Sequence, residues 1–130
     1  MTYASPIATI RDHIDTLAVT AGDPVRAYGG VPKTRPARFV RLMLAGATVR
    51  SVAHRDARVV IECWEASEHA AERLADLIQG WLCDLNSPGG MVPQGPDGWL
   101  GGPYSQPDPD SGTPRYVMTV NLRQGIQPEL

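Results

Sequence analysis

Two helical segments are predicted by apolar residues that recur at steps of three and four positions. One stripe follows Ser5-Pro6 and the other follows Ser67, and a serine hydroxyl is a good cap for a helix start. The stripes consist of Ile7, Ile10, Ile14 and Leu17 in the first segment, and Leu74, Leu77, Ile78, Trp81, Leu82 and Leu85 in the second. We expect one amphipathic helix from Pro6 to the Gly22-Asp23-Pro24 break, and a longer one over 68–85.

Three other segments alternate between apolar and polar residues with a period of two, which is typical of strands. They cover 38–45, 57–65 and 115–123, and the first two are expected to pair antiparallel. The positions expected to face the core are Val40, Leu42 and Leu44, then Val59, Ile61 and Cys63, then Tyr116, Met118, Val120 and Leu122. Shorter strands are expected around 25–28 and 99–104.

These elements predict an α+β fold, with two helices packed on one face of a mostly antiparallel four- to five-stranded sheet and a long Pro/Gly-rich loop. A chain of 130 residues suits a single domain, 1–130, with one core over 6–123. Seven prolines and seven glycines between 88 and 114 predict an extended loop or arm. The last residues, 124–130, are expected to form a free tail.

Charge is distributed unevenly along the chain, although the net charge is only −2. The segment 33–58 carries one Lys and six Arg against the single acid Asp56, a balance of +6, so the remainder sums to −8. Segregation of this kind suits either nucleic acid or a subunit whose basic side meets an acidic side of its neighbour. No apolar run approaches the length of a membrane span, and we expect no membrane association.

Residues that could carry chemistry are scattered. The histidines at 13, 54 and 69 fall on separate predicted elements with no pair at metal-ligand spacing, which favours surface histidines. Cys63 and Cys83 lie within a strand and a helix pattern and are interpreted as reduced core residues of a protein made in a cytoplasm. The run from Asp108 to Gly112 is interpreted as a tight turn rather than a calcium loop. We therefore expect no catalytic site, no cofactor and no metal.

Arginines at 35, 38 and 41 are the strongest candidates for binding, because they lie on or beside a strand next to a flexible loop. Their guanidinium groups suit carboxylates of a neighbouring subunit or phosphates. A plain solvated strand face is the simplest alternative. Assembly contacts, solvent exposure and direct nucleic-acid binding all remain open on the sequence.

Two stretches resemble the tail terminator proteins of long, non-contractile-tailed phages, particularly those of actinobacterial hosts. One is the strand Arg58-Val59-Val60-Ile61-Glu62-Cys63-Trp64-Glu65-Ala66 followed by an Ala/Leu-rich helix from Ala70 to Leu77. The other runs from Gly101-Gly102-Pro103-Tyr104 through Pro107-Asp108-Pro109-Asp110-Ser111-Gly112-Thr113-Pro114-Arg115-Tyr116 into the last strand. Together with the first helix and the basic strand, the resemblance covers most of residues 6–123.

The resemblance implies a virion structural protein that forms a homo-oligomeric ring, a hexamer, at the head–tail joint. Such a ring caps the tail tube protein, docks to the head–tail connector protein, and lets DNA pass through its lumen without specific binding. As a hypothesis, Arg35, Arg38 and Arg41 contact acidic groups of a neighbour, while Trp99, Tyr104, Asp108 and Asp110 lie at a docking surface. The alternatives are another head-completion or minor tail protein and, in a different class, a small nucleic-acid-binding regulator.

Overall fold

The computed structural model describes residues 2–127 as two helices and seven strands. In chain order these are α1 (Pro6–Ala21), β1 (Ala27–Tyr28), β2 (Phe39–Val49), β3 (His54–Trp64), α2 (Glu68–Cys83), β4 (Asn86–Ser87), β5 (Gly90–Met91), β6 (Trp99–Ser105) and β7 (Arg115–Gly125). A single 3-10 turn, Gly95–Asp97, precedes β6. The α+β class is therefore confirmed. None of the helices within residues 2–127 has the length and apolar character that crossing a membrane requires.

Both predicted helices are present, and their ends follow local chemistry. The Ser5 hydroxyl accepts a hydrogen bond from the Ala8 amide at 3.1 Å, and the Ser67 hydroxyl accepts one from the Ala70 amide at 3.2 Å. Gly22 caps the C-terminus of α1, and its φ of 70° lies in the left-handed region that glycine tolerates. α2 ends at Cys83, so the prediction that it reaches 85 is two residues too long.

The sheet is larger than predicted and mixed rather than a four- to five-stranded, mostly antiparallel one. Its hydrogen-bonded order is β1-β2-β3-β7-β5-β4, and β6 also pairs with β7. β1 runs parallel to β2, whereas the other pairs are antiparallel. The two-residue strands β4 and β5 were missed because they depend on distant pairing, such as Met91 with Arg123, and not on a local pattern.

One core lies between the helices and the sheet. It joins Ile10 and Ile14 of α1, Leu74, Ile78 and Leu82 of α2, and the inward residues of the three long strands. Val59, Ile61 and Cys63 are fully buried as predicted, and so are Met118, Val120 and Leu122. Leu44 shares this face, because it pairs with Val59, but it remains 51% exposed. The helices therefore cover the first half of β2 and leave its second half open.

The segment predicted as an arm, 88–114, is partly built into the sheet. β6 pairs with β7 from Trp99 opposite Val120 to Ser105 opposite Tyr116, which confirms the strand expected at 99–104. The predicted free tail begins too early, because β7 continues to Gly125 and Gln124 is fully buried. Gln127 pairs with Thr2, and the remaining part of the predicted tail, 128–130, lies outside the described residues.

Candidate interaction surfaces

The face of the sheet opposite the helices, here called the outer face, holds Arg41, and Arg35 reaches it from the preceding loop. It is defined by Asp56, Arg58, Val60, Glu62 and Trp64 of β3 and by the residues paired with them on β2 and β7. Trp64 and Glu62 are only 2% and 4% exposed, although the alternation places them away from the core. A second, smaller buried cluster therefore lies on this face.

Trp64 lies at the centre of that cluster. Its ring stacks on Phe39 at 5.2 Å between centroids, with an interplanar angle of 19°. The guanidinium groups of Arg35 and Arg115 lie 5.2 Å and 5.3 Å from its ring centre, within cation–π range. Its indole N–H donates to Glu62 at 3.2 Å. The loop before β2 thus folds back over Trp64 through Arg35.

Glu62 links two of the arginines on the outer face. Its carboxylate accepts hydrogen bonds from Arg115 at 3.2 Å and from Arg41 at 3.4 Å. Arg41 lies directly opposite Glu62 on β2, and Arg115 lies on β7, opposite Trp64. The Nε of Arg41 is buried without a hydrogen-bond partner within the described chain. The charge of Arg41 is therefore paired with an acid of its own chain.

Arg38 forms an ion-pair network with two acids of its own chain. It donates to Asp23 at 3.0 and 2.7 Å and to Glu65 at 2.6 Å, and so joins the end of α1, the start of β2 and the end of β3. The hydrogen bond from Arg38 lowers the pKa of Asp23, and the same bond raises the pKa of Arg38 itself. This network fixes the loop 24–37 at both ends.

The three predicted arginines lie at one end of the sheet, but two of them form ion pairs within the chain. Arg38 and Arg41 are paired within the chain, whereas Arg35, itself exposed, has a cation–π contact and no ion pair among residues 2–127. That these arginines contact acidic groups of a neighbour stays a prediction. Arg35 suits that role best, because its charge is not paired with an acid among residues 2–127. Sequence reasoning missed Trp64, Glu62 and Arg115, because nothing local shows that a loop covers this face.

A second charged cluster occupies the other end of the outer face. Asp56 accepts from Arg123 at 3.0 Å and from Arg50 at 2.9 Å. Burial alone would raise the pKa of Asp56, but hydrogen bonds from Arg123 and its neighbours outweigh burial and lower it. Arg58 donates to the Thr48 hydroxyl at 2.8 Å and has no acid partner in the described chain. These residues line a cleft of about 300 Å³ with Pro96, Asp97, Leu100 and Asn121.

The outer face as a whole is positively charged. The ionised side chains on it are Arg35, Arg41, Arg50, Arg58, Arg115 and Arg123 against Asp56, Glu62 and Asp97, which is six minus three, or +3. Arg115 and Arg123 lie far along the chain from the basic segment 33–58. The positive surface is therefore assembled by strand pairing and not by the sequence segment alone.

The docking residues predicted on the C-terminal half are placed differently from one another. Trp99 is half-buried against the main core, whereas Tyr104 is 49% exposed on β6. Asp108 caps a turn by accepting from the Ser111 amide at 3.1 Å and from the Ser111 hydroxyl at 2.5 Å, and these bonds lower its pKa. Asp110 is exposed beside it. The prediction of a tight turn before the last strand is confirmed, and docking by these residues stays a prediction.

The hairpin of β2 and β3 carries a surface that sequence reasoning did not identify. Beyond the residues covered by helices, Leu44, Val49 and Val52 are 51%, 73% and 97% exposed. A smaller exposed apolar group lies around β5 and β6, where Met91, Leu100 and Tyr104 are 41%, 46% and 49% exposed. The first group was missed because the strand was predicted to end at 45, whereas β2 continues to Val49.

The described histidine and cysteine side chains make local contacts, among them His54 with the Ser51 hydroxyl at 3.4 Å. His13 bonds the Trp81 carbonyl at 2.7 Å, and burial raises the pKa of the Cys63 thiol. Cys63 is buried as predicted, while Cys83 is only half-buried. Across residues 2–127, no three His, Cys, Asp or Glu side chains lie close enough together to hold a metal ion. Comparison with known protein families and with curated proteins found no match to this chain.

Proposed function

We propose that this chain is a virion structural protein of the tail terminator kind. It forms a hexameric ring at the head–tail joint, caps the tail tube and docks to the head connector. The observation that carries the proposal is the exposed apolar hairpin surface of Leu44, Val49 and Val52, on strands whose other ends are firmly packed. An ordered strand pair that leaves a group of apolar side chains in water is typical of a surface that a partner protein covers.

The stretches that resemble tail terminators supply the specific role. The Pro-Asp-Pro-x-Ser-Gly motif, 107–112, forms a turn held by bonds among Asp108, Ser111 and Thr113, and the chain enters β7 directly after it. The strand that ends in Trp64 supports the arginines of the outer face. Both motifs thus build outward-facing surfaces, which supports a protein that works through contact with other proteins.

Reconstitution with the tail tube protein of the same virion tests the role. Polymerising tube protein alone should give tubes of widely varying length, and prior addition of this chain should give shorter tubes with a ring at one end in electron micrographs. Val52→Asp is the variant expected to remove capping, and Val19→Asp, an exposed valine on α1, is the matched control. Tubes that grow to the same length and bear no ring would contradict the proposal.

Another head-completion or minor tail protein would share the exposed hairpin. Its position in the particle separates the two functions. Labelling of intact virions places a tail terminator between tail tube and connector, and a density at the connector alone or at the distal tip favours the alternative.

The +3 charge of the outer face favours a second candidate, a small nucleic-acid-binding regulator. Binding through arginine–phosphate contacts would weaken steeply as salt rises, since counterions are released from the nucleic acid. Fluorescence anisotropy with a labelled duplex between 50 and 300 mM salt measures this. Tight, salt-dependent binding that Arg58→Ala and Arg35→Ala each weaken would favour the regulator, whereas weak binding unaffected by both variants favours the ring protein.

A further inference from the structure

The exposed apolar side chains of this molecule fall into two separate groups. Of eight large apolar residues that stay exposed within 2–127, three lie on the β2–β3 hairpin and three lie around β5 and β6. The hairpin group is Leu44, Val49 and Val52, and the β6 group is Met91, Leu100 and Tyr104. Only Val19 and Val31 lie elsewhere. Two such groups on one chain suit a contact in which each copy uses both.

The hairpin group borders an open sheet edge. β1 pairs with β2 only at Val40 and Arg41, so from Leu42 to Val49 β3 is the partner of β2 in the described chain. The open stretch, 43–49, contains no charged residue and no proline. Edge strands are usually protected by charges, prolines or bulges, and here a bulge at Ala45 is the single such feature. Another chain could therefore cover this edge of β2.

The β6 group lies on an edge of a different kind. Within residues 2–127, β6 pairs with β7 alone. It contains Pro103 and shifts register twice, between Trp99 and Gly101 and again between Gly101 and Tyr104. Such an edge cannot extend a regular hydrogen-bonded ladder. It can still accept apolar side chains, because Leu100 and Tyr104 are exposed on the outer face.

The two groups lie on opposite faces of the sheet. Leu44 is paired with Val59 and so belongs to the face that the helices cover. Tyr104 is paired with Val117, which in turn is paired with Glu62 of the outer face, and Leu100 lines the cleft beside Asp56. A contact between the groups therefore joins different surfaces of two copies, which is a head-to-tail arrangement.

Charge favours the same arrangement. The hairpin, 44–58, has three arginines against Asp56, a balance of +2. Asp97 lies in the cleft beside Arg50 and Arg58 of its own chain, and the segment 99–110 has Asp108 and Asp110 and no base, a balance of −2. Two hairpins that met each other would place like charges together, whereas a hairpin on a β6 segment pairs opposite charges.

We propose that the hairpin of one copy packs Val49 and Val52 against Leu100 and Tyr104 of the next copy. The occupant of the hairpin surface is a second copy of this chain, and the proposal deepens the ring function, on which it rests. Each copy contacts one neighbour through its hairpin and the other neighbour through its β6 segment. The contact therefore repeats from copy to copy until the ring closes.

Cross-linking of two single-cysteine proteins tests which surfaces meet. Val52→Cys and Tyr104→Cys are each made in a Cys83→Ser background, in which Cys63 stays buried. A short bismaleimide should give at least tenfold more cross-linked dimer in the mixture than in either protein alone. Val19→Cys mixed with Val52→Cys is the control and should give little. Equal cross-linking of the Val52→Cys protein by itself would overturn the proposal, because it would show a hairpin-to-hairpin contact.

Sedimentation of Val49→Asp/Val52→Asp separates this inference from the ring function. The parent protein and Val19→Asp should sediment as oligomers, and the double variant should sediment as a monomer whose circular dichroism spectrum matches that of the parent protein. An oligomer that persists in the double variant overturns the hairpin contact and leaves the ring standing. A parent protein that stays monomeric, alone and with tube protein, overturns both.

Discussion

The two ends of the β2–β3 hairpin carry the same strand pattern but have opposite surroundings. At the end that contains Phe39 and Trp64, both faces of the sheet are covered, by helices on one side and by Arg35 and Arg115 on the other. At the end that contains Val49 and Val52, both side chains lie in water, 73% and 97% exposed. We infer that the first end stabilises the fold and that the second serves assembly, a division that substitutions at each end can test.

The largest expected difference between the two ends is in the free energy of unfolding. Trp64→Ala removes a fully buried aromatic side chain and should lower this free energy by about 3–5 kcal/mol. Val52→Ala, at the exposed tip, should change it by less than about 0.5 kcal/mol. Urea unfolding followed by circular dichroism measures both. Similar losses for the two variants would mean that the tip is packed in the isolated chain.

Loss of the Arg38 network should have the next largest effect. Arg38→Met leaves Asp23 and Glu65 without their cation and should cost about 2 kcal/mol, less than for a fully buried pair because Arg38 is 28% exposed. Arg11→Met is the control, since the Arg11–Asp12 pair is mostly exposed and should contribute almost nothing.

The same substitution predicts a change in acid stability. The folded-state pKa of Asp23 is lowered below its usual 3.8, so its ionised form stabilises the protein above that pH, and this contribution is lost as pH falls through the folded-state value. Unfolding midpoints measured from pH 6 to pH 2 should therefore fall less steeply in Arg38→Met than in the parent. Parallel pH profiles would show that Arg38 does not hold Asp23 ionised.

A smaller effect is expected at the bulge that separates the two ends. Gly46 has a φ of 142°, and a Cβ there would lie 2.7 Å from the Arg58 guanidinium, so Gly46→Ala should cost about 1–2 kcal/mol. Gly80→Ala on α2, where a Cβ meets nothing within 4 Å, should instead stabilise by about 0.5–1 kcal/mol. Thermal unfolding of both variants gives the sign, and stabilisation by Gly46→Ala would contradict the bulge geometry.

Local pattern was sufficient for the elements that have their own periodicity. The stripe from Leu74 to Leu82 and the alternation from Val59 to Cys63 predicted α2, β3 and their buried faces, because burial repeats with the geometry of the backbone. Neither pattern determines what covers the opposite face. Alternation along β3 places Trp64 on the face away from the core, but its burial depends on Arg35, 29 positions earlier, and Arg115, 51 positions later.

Charge pairing was the least predictable feature of the surface. The basic segment 33–58 looks unneutralised in sequence, yet Arg38 meets acids at 23 and 65 that only folding brings near. The exposed hairpin was missed for a related reason. Leu44 fits the buried side of its strand by alternation, and only the finite length of the helices leaves it open.

The mass of the protein in solution tests most directly whether assembly is its function. Sedimentation equilibrium over a range of concentrations, with and without the tail tube protein, should show a species of six chains, which at 14.0 kDa each gives 84 kDa. The Val49→Asp/Val52→Asp variant should remain at 14.0 kDa under the same conditions. A parent protein that remains a 14.0 kDa monomer at every concentration, and ignores the tube protein, would contradict a ring-forming role.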